Sequence, residues 1–139
     1  ALSCLGGLAT AMDDPHKAME QYEQALQFLQ KQDDIEDEAI VRIGLGRVYV
    51  RLGDGPQAQK YYENALDAFR LIGDRSGQAV ALSELARLKQ AHGKQQQAAE
   101  LYNEALLLAV ASKDAHTEAA IRESQKNLSP IIVQPPLNQ

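Results

Sequence analysis

The chain has 139 residues, a formal net charge of −5, one cysteine and only 5% aromatic residues. This length suits a single domain with a sizeable core. The acidic charge argues against a general nucleic-acid binder, because the affinity of such proteins rests on clustered Lys and Arg. One cysteine leaves no intramolecular disulfide. No apolar run approaches the roughly 20 residues that span a bilayer, so membrane insertion is not expected.

Ala and Leu dominate the apolar residues, and β-branched residues are few and scattered, which predicts an all-α fold. Apolar positions at helical spacing, broken by Gly, Pro and Asp, indicate about seven helices. Three antiparallel pairs are predicted at about 1–31, 36–71 and 76–111, with helices at 1–12, 15–31, 36–52, 55–71, 76–92 and 95–111. A closing helix follows at 115–128. Because Ser129-Pro130 ends this helix, residues 129–139 are predicted to be an extended or disordered tail.

A period of 40 residues runs through the chain. Identical residues recur at several positions of this period: Ala18, Ala58 and Ala98; Tyr22, Tyr62 and Tyr102; Ala25, Ala65 and Ala105; Asp34, Asp74 and Asp114. In the second copy, Ala58, Tyr62, Ala65, Leu66 and Phe69 form one apolar stripe on a helix. One hairpin cannot bury such a stripe alone, so the pattern predicts hairpins that stack and leave a concave face. The repeated residues are expected to build this stack rather than a binding site.

The second copy also carries a family signature. Leu45-Gly46 followed by Tyr49, Gly53-Asp54 and Ala58 resembles the tetratricopeptide repeat (TPR). The 40-residue spacing resembles the longer repeats of the Leu-Gly-Asn-repeat adaptor proteins. The resemblance covers residues 1 to about 120 and implies a TPR solenoid, a right-handed superhelical stack of antiparallel helix hairpins. The copies depart from the pattern at several positions. An early apolar residue, Leu82 in the third copy, is replaced by Arg42 in the second, and the aromatic Tyr49 of the second copy is replaced by Lys89 in the third and Ala9 in the first.

The same resemblance implies which residues face a partner, because the first helix of each TPR hairpin lines the concave face. The peptide-binding residues predicted in this way are Ile40, Ile43, Arg47, Val50, Arg51, Val80, Ser83, Arg87, Gln90 and Asn127, and the same register turns Ser3, Gly7, Thr10 and Glu123 inward. Arg47 and Arg87 lie one period apart and would form, with Arg51, a basic strip flanked by aliphatic residues. Such a strip suits an extended or helical peptide that carries carboxylates next to aliphatic side chains. The alternative is that these arginines are solvated, or paired with Glu84 or Glu123.

Other features of the sequence indicate neither catalysis nor a cofactor. His16, His92 and His116 are dispersed, without partners at metal-ligand spacing. The family's chaperone-binding branch uses a clamp of Lys, Asn and Arg, of which the Lys and Asn are missing here, so a chaperone adaptor is not expected. The function predicted is a non-catalytic scaffold for protein–protein interaction.

Two other functions stay open. The chain could be a structural unit that self-assembles through exposed ends or the tail, or a regulatory domain of a larger protein, since it starts without Met in the middle of an amphipathic pattern. The lone cysteine, Cys4, suggests a reducing compartment, so an intracellular, cytoplasmic location is expected.

Overall fold

The computed structural model describes residues 14–128, and every regular element in that range is an α-helix. The six helices are α1 (Pro15–Gln32), α2 (Ile35–Arg51), α3 (Gly55–Ile72), α4 (Arg75–Ala91), α5 (Gln95–Ala111) and α6 (Ala115–Lys126). Each bound lies within two residues of the sequence-based helix, and the predicted all-α fold is confirmed. The helix predicted at 1–12 and the tail predicted at 129–139 lie outside the described residues, as do Ser3, Cys4, Gly7 and Thr10.

The helices begin at intervals of 20 residues because the same turn recurs between them. An aspartate carboxylate accepts a hydrogen bond from the backbone N–H three residues later at the start of five helices, through Asp14, Asp34, Asp54, Asp74 and Asp114. Such a cap satisfies one of the free N–H groups of the first turn. Lys94 occupies this position before α5 and makes no side-chain cap.

The residue before each of the last five caps has a positive φ. Three of these residues are glycines, Gly53, Gly73 and Gly93, which adopt the left-handed region at little cost. The other two are Asp33 and Lys113, both at φ 58°. The local sequence of cap and left-handed residue therefore fixes where each helix ends and the next begins.

Each helix packs on the next along the chain, and the first helices of successive hairpins also meet, α2 against α4 and α4 against α6. This arrangement places α2, α4 and α6 along one side of the stack, the side that is concave in helical-repeat proteins. The repeated residues form the core as predicted: Ala58, Ala98, Tyr62 and Tyr102 are all buried.

Two glycines of α2 make room for tyrosine rings. A Cβ atom added at Gly46 would lie 2.4 Å from Cε1 of Tyr62, in the same hairpin, and one added at Gly44 would lie 2.3 Å from Cζ of Tyr22, on α1. The structure shows that the space is filled by an aromatic side chain.

Candidate peptide-binding groove

A buried carboxylate lies between the two predicted groove arginines. Glu84, on α4, is only 4% exposed. Its Oε2 accepts a hydrogen bond from Nε of Arg47 on α2 at 2.6 Å and also contacts Nη2 of Arg47. Its Oε1 accepts from Nη1 of Arg87, one turn further along α4, at 3.5 Å. Glu84 therefore joins α2 to α4 and orients both guanidinium groups.

Both arginines keep about half of their side-chain surface exposed, 52% for Arg47 and 55% for Arg87. Partial burial disfavours the charged form of Arg47, but the Glu84 carboxylate outweighs this effect, and the pKa of the guanidinium is raised above its ordinary value. The Arg47 guanidinium is therefore cationic at any physiological pH. Of the two alternatives left open by the sequence, pairing of the arginines with Glu84 is the one observed, whereas Glu123 pairs with Lys126.

Next to this cluster is a small cavity of about 140 Å³ with mixed walls. It is lined by the charged residues Arg47, Glu84 and Arg87, by the apolar residues Val50, Leu88 and Ala91, and by Tyr62. Burial raises the pKa of the Tyr62 hydroxyl well above its ordinary value, and Glu84 raises it further. The phenol is therefore neutral, and the cavity combines an apolar wall with a cationic rim.

Part of the predicted set is exposed, and Val50 also lines the cavity. Ile40 and Val50 are exposed on α2, and Arg51 is exposed at its last turn. Ile43 does not reach the surface, because it is only 4% exposed and packs in the hydrophobic core. We therefore correct the assignment of Ile43 from a groove residue to a core residue.

On α4, Val80 is half-buried against the core, and the Ser83 hydroxyl donates to the backbone carbonyl of Val80 at 2.8 Å. Both side chains therefore make contacts within the protein, although the sequence analysis assigned them to the groove surface.

The far end of the groove is held together by hydrogen bonds. The Gln90 side-chain nitrogen donates to the backbone carbonyl of Asn127 at 3.0 Å, and the Tyr102 hydroxyl donates to Oε1 of Gln90 at 3.2 Å. Gln90 thus links α4 to α5 and to the residue after α6. The Asn127 side chain remains exposed. Gln90 therefore stabilises the packing of these helices, in addition to any contact with a partner.

Sequence reasoning missed the central position of Glu84 and the contribution of Leu88 and Tyr62 to the cavity. A signal was present for Glu84, because it lies one period after Gly44, where a charged residue replaces a glycine inside a helix. No candidate for a metal centre of three or more His, Cys, Asp or Glu was found within residues 14–128. Over the same range, none of the helices is long and apolar enough to cross a membrane.

The architecture is that of a helical-repeat stack, and comparison with known proteins identifies which one. The family model described as Tetratricopeptide repeat matches residues 37–109, more than half of the chain. The chain belongs to the tetratricopeptide repeat family, as its sequence predicted. TPR domains bind protein partners and are typically non-catalytic, so the fold defines a scaffold for protein–protein interaction.

Solved structures agree on the fold. The TPR domain of Arabidopsis FLU superposes with a TM-score of 0.70 at 23% identity, over 81% of this chain and 92% of that one. BtubC (BKLC) from P. vanneervenii superposes with a TM-score of 0.67 at 20% identity, over 99% of this chain and 67% of that one. At these identities the likeness concerns the fold alone. No curated protein matches the sequence.

Proposed function

We propose that the protein binds a peptide segment of a partner protein along α2 and α4, through carboxylates that contact Arg47 and Arg87 and aliphatic side chains that contact the neighbouring apolar wall. The observation that carries this proposal is the cluster of two half-exposed arginines around one buried Glu84. The groove is assigned a binding role without a catalytic step and without a cofactor.

The charge of the cluster favours an acidic partner. Two guanidinium groups face one carboxylate, so the cluster keeps one positive charge in a molecule whose formal net charge is −5. Each guanidinium has five N–H donors in a planar fork, and Glu84 engages only one side of each. The remaining donors suit the oxygens of an Asp, a Glu or a chain terminus.

The apolar contacts favour an aliphatic neighbour next to the acidic residue. Val50 is exposed beside Arg47, and Val50 and Leu88 both line the cavity. An aliphatic side chain placed there would exchange water for apolar contact while its neighbouring carboxylate stays at the cationic rim. This combination separates the proposed ligand from a purely acidic peptide, which would gain nothing from the apolar wall.

A peptide-display selection against the wild-type protein tests the proposal. We expect enrichment of sequences in which Asp or Glu adjoins Leu, Ile or Val. The selected peptide is then titrated against a neutral triple variant, Arg47→Gln, Glu84→Gln and Arg87→Gln, which removes the cationic rim without leaving Glu84 unpaired. Its affinity should fall by roughly tenfold or more, the factor that charge-assisted hydrogen bonds supply.

Two controls make the result specific. Glu84→Gln alone keeps both arginines and their charge, so binding should fall less than in the triple variant. Arg70→Gln with Arg122→Gln removes two arginines elsewhere on the molecule and should leave binding unchanged. If the selected peptides lack acidic residues, or bind the triple variant as tightly as the wild type, the proposal is wrong.

A further inference from the structure

A second cavity lies between α1, α2 and α3, away from the groove. Its volume is about 380 Å³, and it is lined by Leu26, Arg42, Gln57, Lys60, Tyr61 and Asn64. Arg42 is five residues before Arg47 on α2, so the two side chains project about 140° apart around the helix axis. The cavity therefore opens on a different face from the proposed peptide groove, and its size is in the range of small-molecule sites.

The lining residues are rich in hydrogen-bond donors. Arg42 and Lys60 are cationic, Gln57 and Asn64 carry amides, and none of the acidic residues within 14–128 lines the cavity. Glu38, one turn before Arg42, accepts a hydrogen bond from Nη1 of Arg42 at 3.4 Å, which orients the guanidinium and engages one of its five donors. An oxyanion is the ligand group that this set of donors suits.

One wall of the cavity is aromatic and held in place. The ring of Tyr61 stacks on the ring of Tyr49, with centroids 5.5 Å apart and planes 11° apart. Tyr61 also packs against the core residues between α1 and α2. The cavity thus combines a stacked aromatic ring with two cationic side chains, as suits an organic anion rather than a bare inorganic ion.

The equivalent positions of the next repeat carry apolar or acidic residues instead of cationic ones. Forty residues after Arg42 is Leu82, which is buried at 2% exposure, and forty residues after Lys60 and Asn64 are Glu100 and Glu104. The repeat itself therefore requires neither the arginine nor the lysine. Arg42 takes the position of a core leucine, and the cationic character is confined to the junction of α1, α2 and α3.

From these observations we propose that this cavity binds a small organic anion, whose phosphate or carboxylate group is held by Arg42 and Lys60 and whose organic part lies against Tyr61 and Leu26. The amides of Gln57 and Asn64 supply further donors. This site is separate from the peptide groove. A ligand bound there would contact only α1, α2 and α3.

The proposal is tested by titrating the protein with inorganic phosphate, phenyl phosphate and glutarate at constant ionic strength, by calorimetry and by amide NMR. We expect phenyl phosphate or glutarate to bind more tightly than inorganic phosphate and to shift the side-chain amide signals of Gln57 and Asn64. The first ligand indicates a phosphate ester and the second a dicarboxylate. Binding should weaken by roughly tenfold in Arg42→Leu and in Lys60→Glu, because each removes a charge-assisted contact.

These variants copy the residues of the next repeat, so we expect both to fold, and thermal unfolding checks each of them. Lys17→Glu makes the same change of charge as Lys60→Glu, two and a half helical turns before Leu26, and should bind like the wild type. The proposal is overturned if none of the three anions binds the wild-type protein, or if Arg42→Leu and Lys60→Glu both bind as the wild type does.

Discussion

Two junctions between hairpins use the same position of the repeat in opposite ways. Where α1 meets α2, Gly44 leaves space that is filled by the ring of Tyr22. Where α3 meets α4, the equivalent residue is Glu84 and the equivalent ring is Tyr62. The ring of Tyr62 lies instead against Gly46 of its own hairpin. At the first junction this position is a glycine beside an aromatic ring, and at the second it is a buried carboxylate that pairs with two arginines.

This difference shows how one position of the repeat can change its chemistry while the core is kept. The identical Ala and Tyr residues keep the helices at one spacing, while a single position switches between glycine and glutamate. At the second junction the switch brings charges to the groove, because Glu84 holds Arg47 and Arg87 at the side lined by α2 and α4. Further along the stack, Gln90 connects α4 to α5 and to the residue after α6 through neutral hydrogen bonds with Tyr102 and Asn127.

The largest expected effect comes from isolating the buried carboxylate. The double variant Arg47→Gln and Arg87→Gln leaves Glu84 buried without a cationic partner, which should lower the free energy of unfolding by about 3 kcal/mol. Urea denaturation followed by circular dichroism measures this loss. Adding Glu84→Gln to the double variant should restore most of the stability. A double variant as stable as the wild type would mean that the ion pairs do not hold the junction.

At the first junction the test is steric. Gly44→Ala should destabilise the protein by about 2 kcal/mol, because the new Cβ meets the Tyr22 ring, even though Ala is favoured over Gly in a helix by about 1 kcal/mol. Combining it with Tyr22→Leu should give a smaller loss than the sum of the two single variants, since the clash disappears with the ring. Additive losses in this double-mutant cycle would show that the two residues are not coupled.

The starts of the helices offer a third comparison, between the five aspartate caps and Lys94. Lys94→Asp should supply the missing cap of α5 and raise the free energy of unfolding by about 1 kcal/mol, measurable as a higher melting temperature. Lys94→Ala removes the same charge without providing a cap and serves as the matched control. Equal melting temperatures for the two variants would contradict the capping argument.

The smallest effect is a pH dependence at the start of α6. The pKa of Asp114 is lowered to about 2 by hydrogen bonds from the hydroxyl of Ser76 on α4 and from the hydroxyl and backbone N–H of Thr117. Because the pKa is lower in the folded state than in the unfolded chain, at about 3.9, Asp114 contributes stability above pH 4 that is lost as the pH falls towards 2. Melting temperatures between pH 5 and pH 2 should fall less steeply in Ser76→Ala. An unchanged slope would exclude this role for the hydroxyl.

The helices and the core were predictable from sequence because their causes are local. Most helix bounds depend on a capping Asp or a left-handed residue only one or two positions away, and the buried residues follow helical spacing. The 40-residue period also placed Arg47 and Arg87 on one side of the stack, because equivalent positions of a repeat face the same way.

The details of the groove were less predictable because they depend on how closely α2 and α4 approach each other. The register gives the direction of Ile43 but not its depth, so its burial in the core was missed. The partnership of Arg47 with Glu84 spans 37 residues and requires the distance between two helices. Likewise, the cavity beside Arg42 appears only when the residues of three helices are brought together.

The most direct test of the central claim, that Glu84 holds the groove arginines, is the exchange rate of the Arg47 Nε–H proton, measured by NMR on the folded protein. Since this proton is donated to buried Glu84 at 2.6 Å, we predict slow exchange with water in the wild type and fast exchange in Glu84→Gln. Arg70, whose contact with exposed Asp67 is 3.9 Å long, provides the fast-exchanging reference. An Arg47 proton that exchanges as fast as that of Arg70 in the wild type would contradict the account.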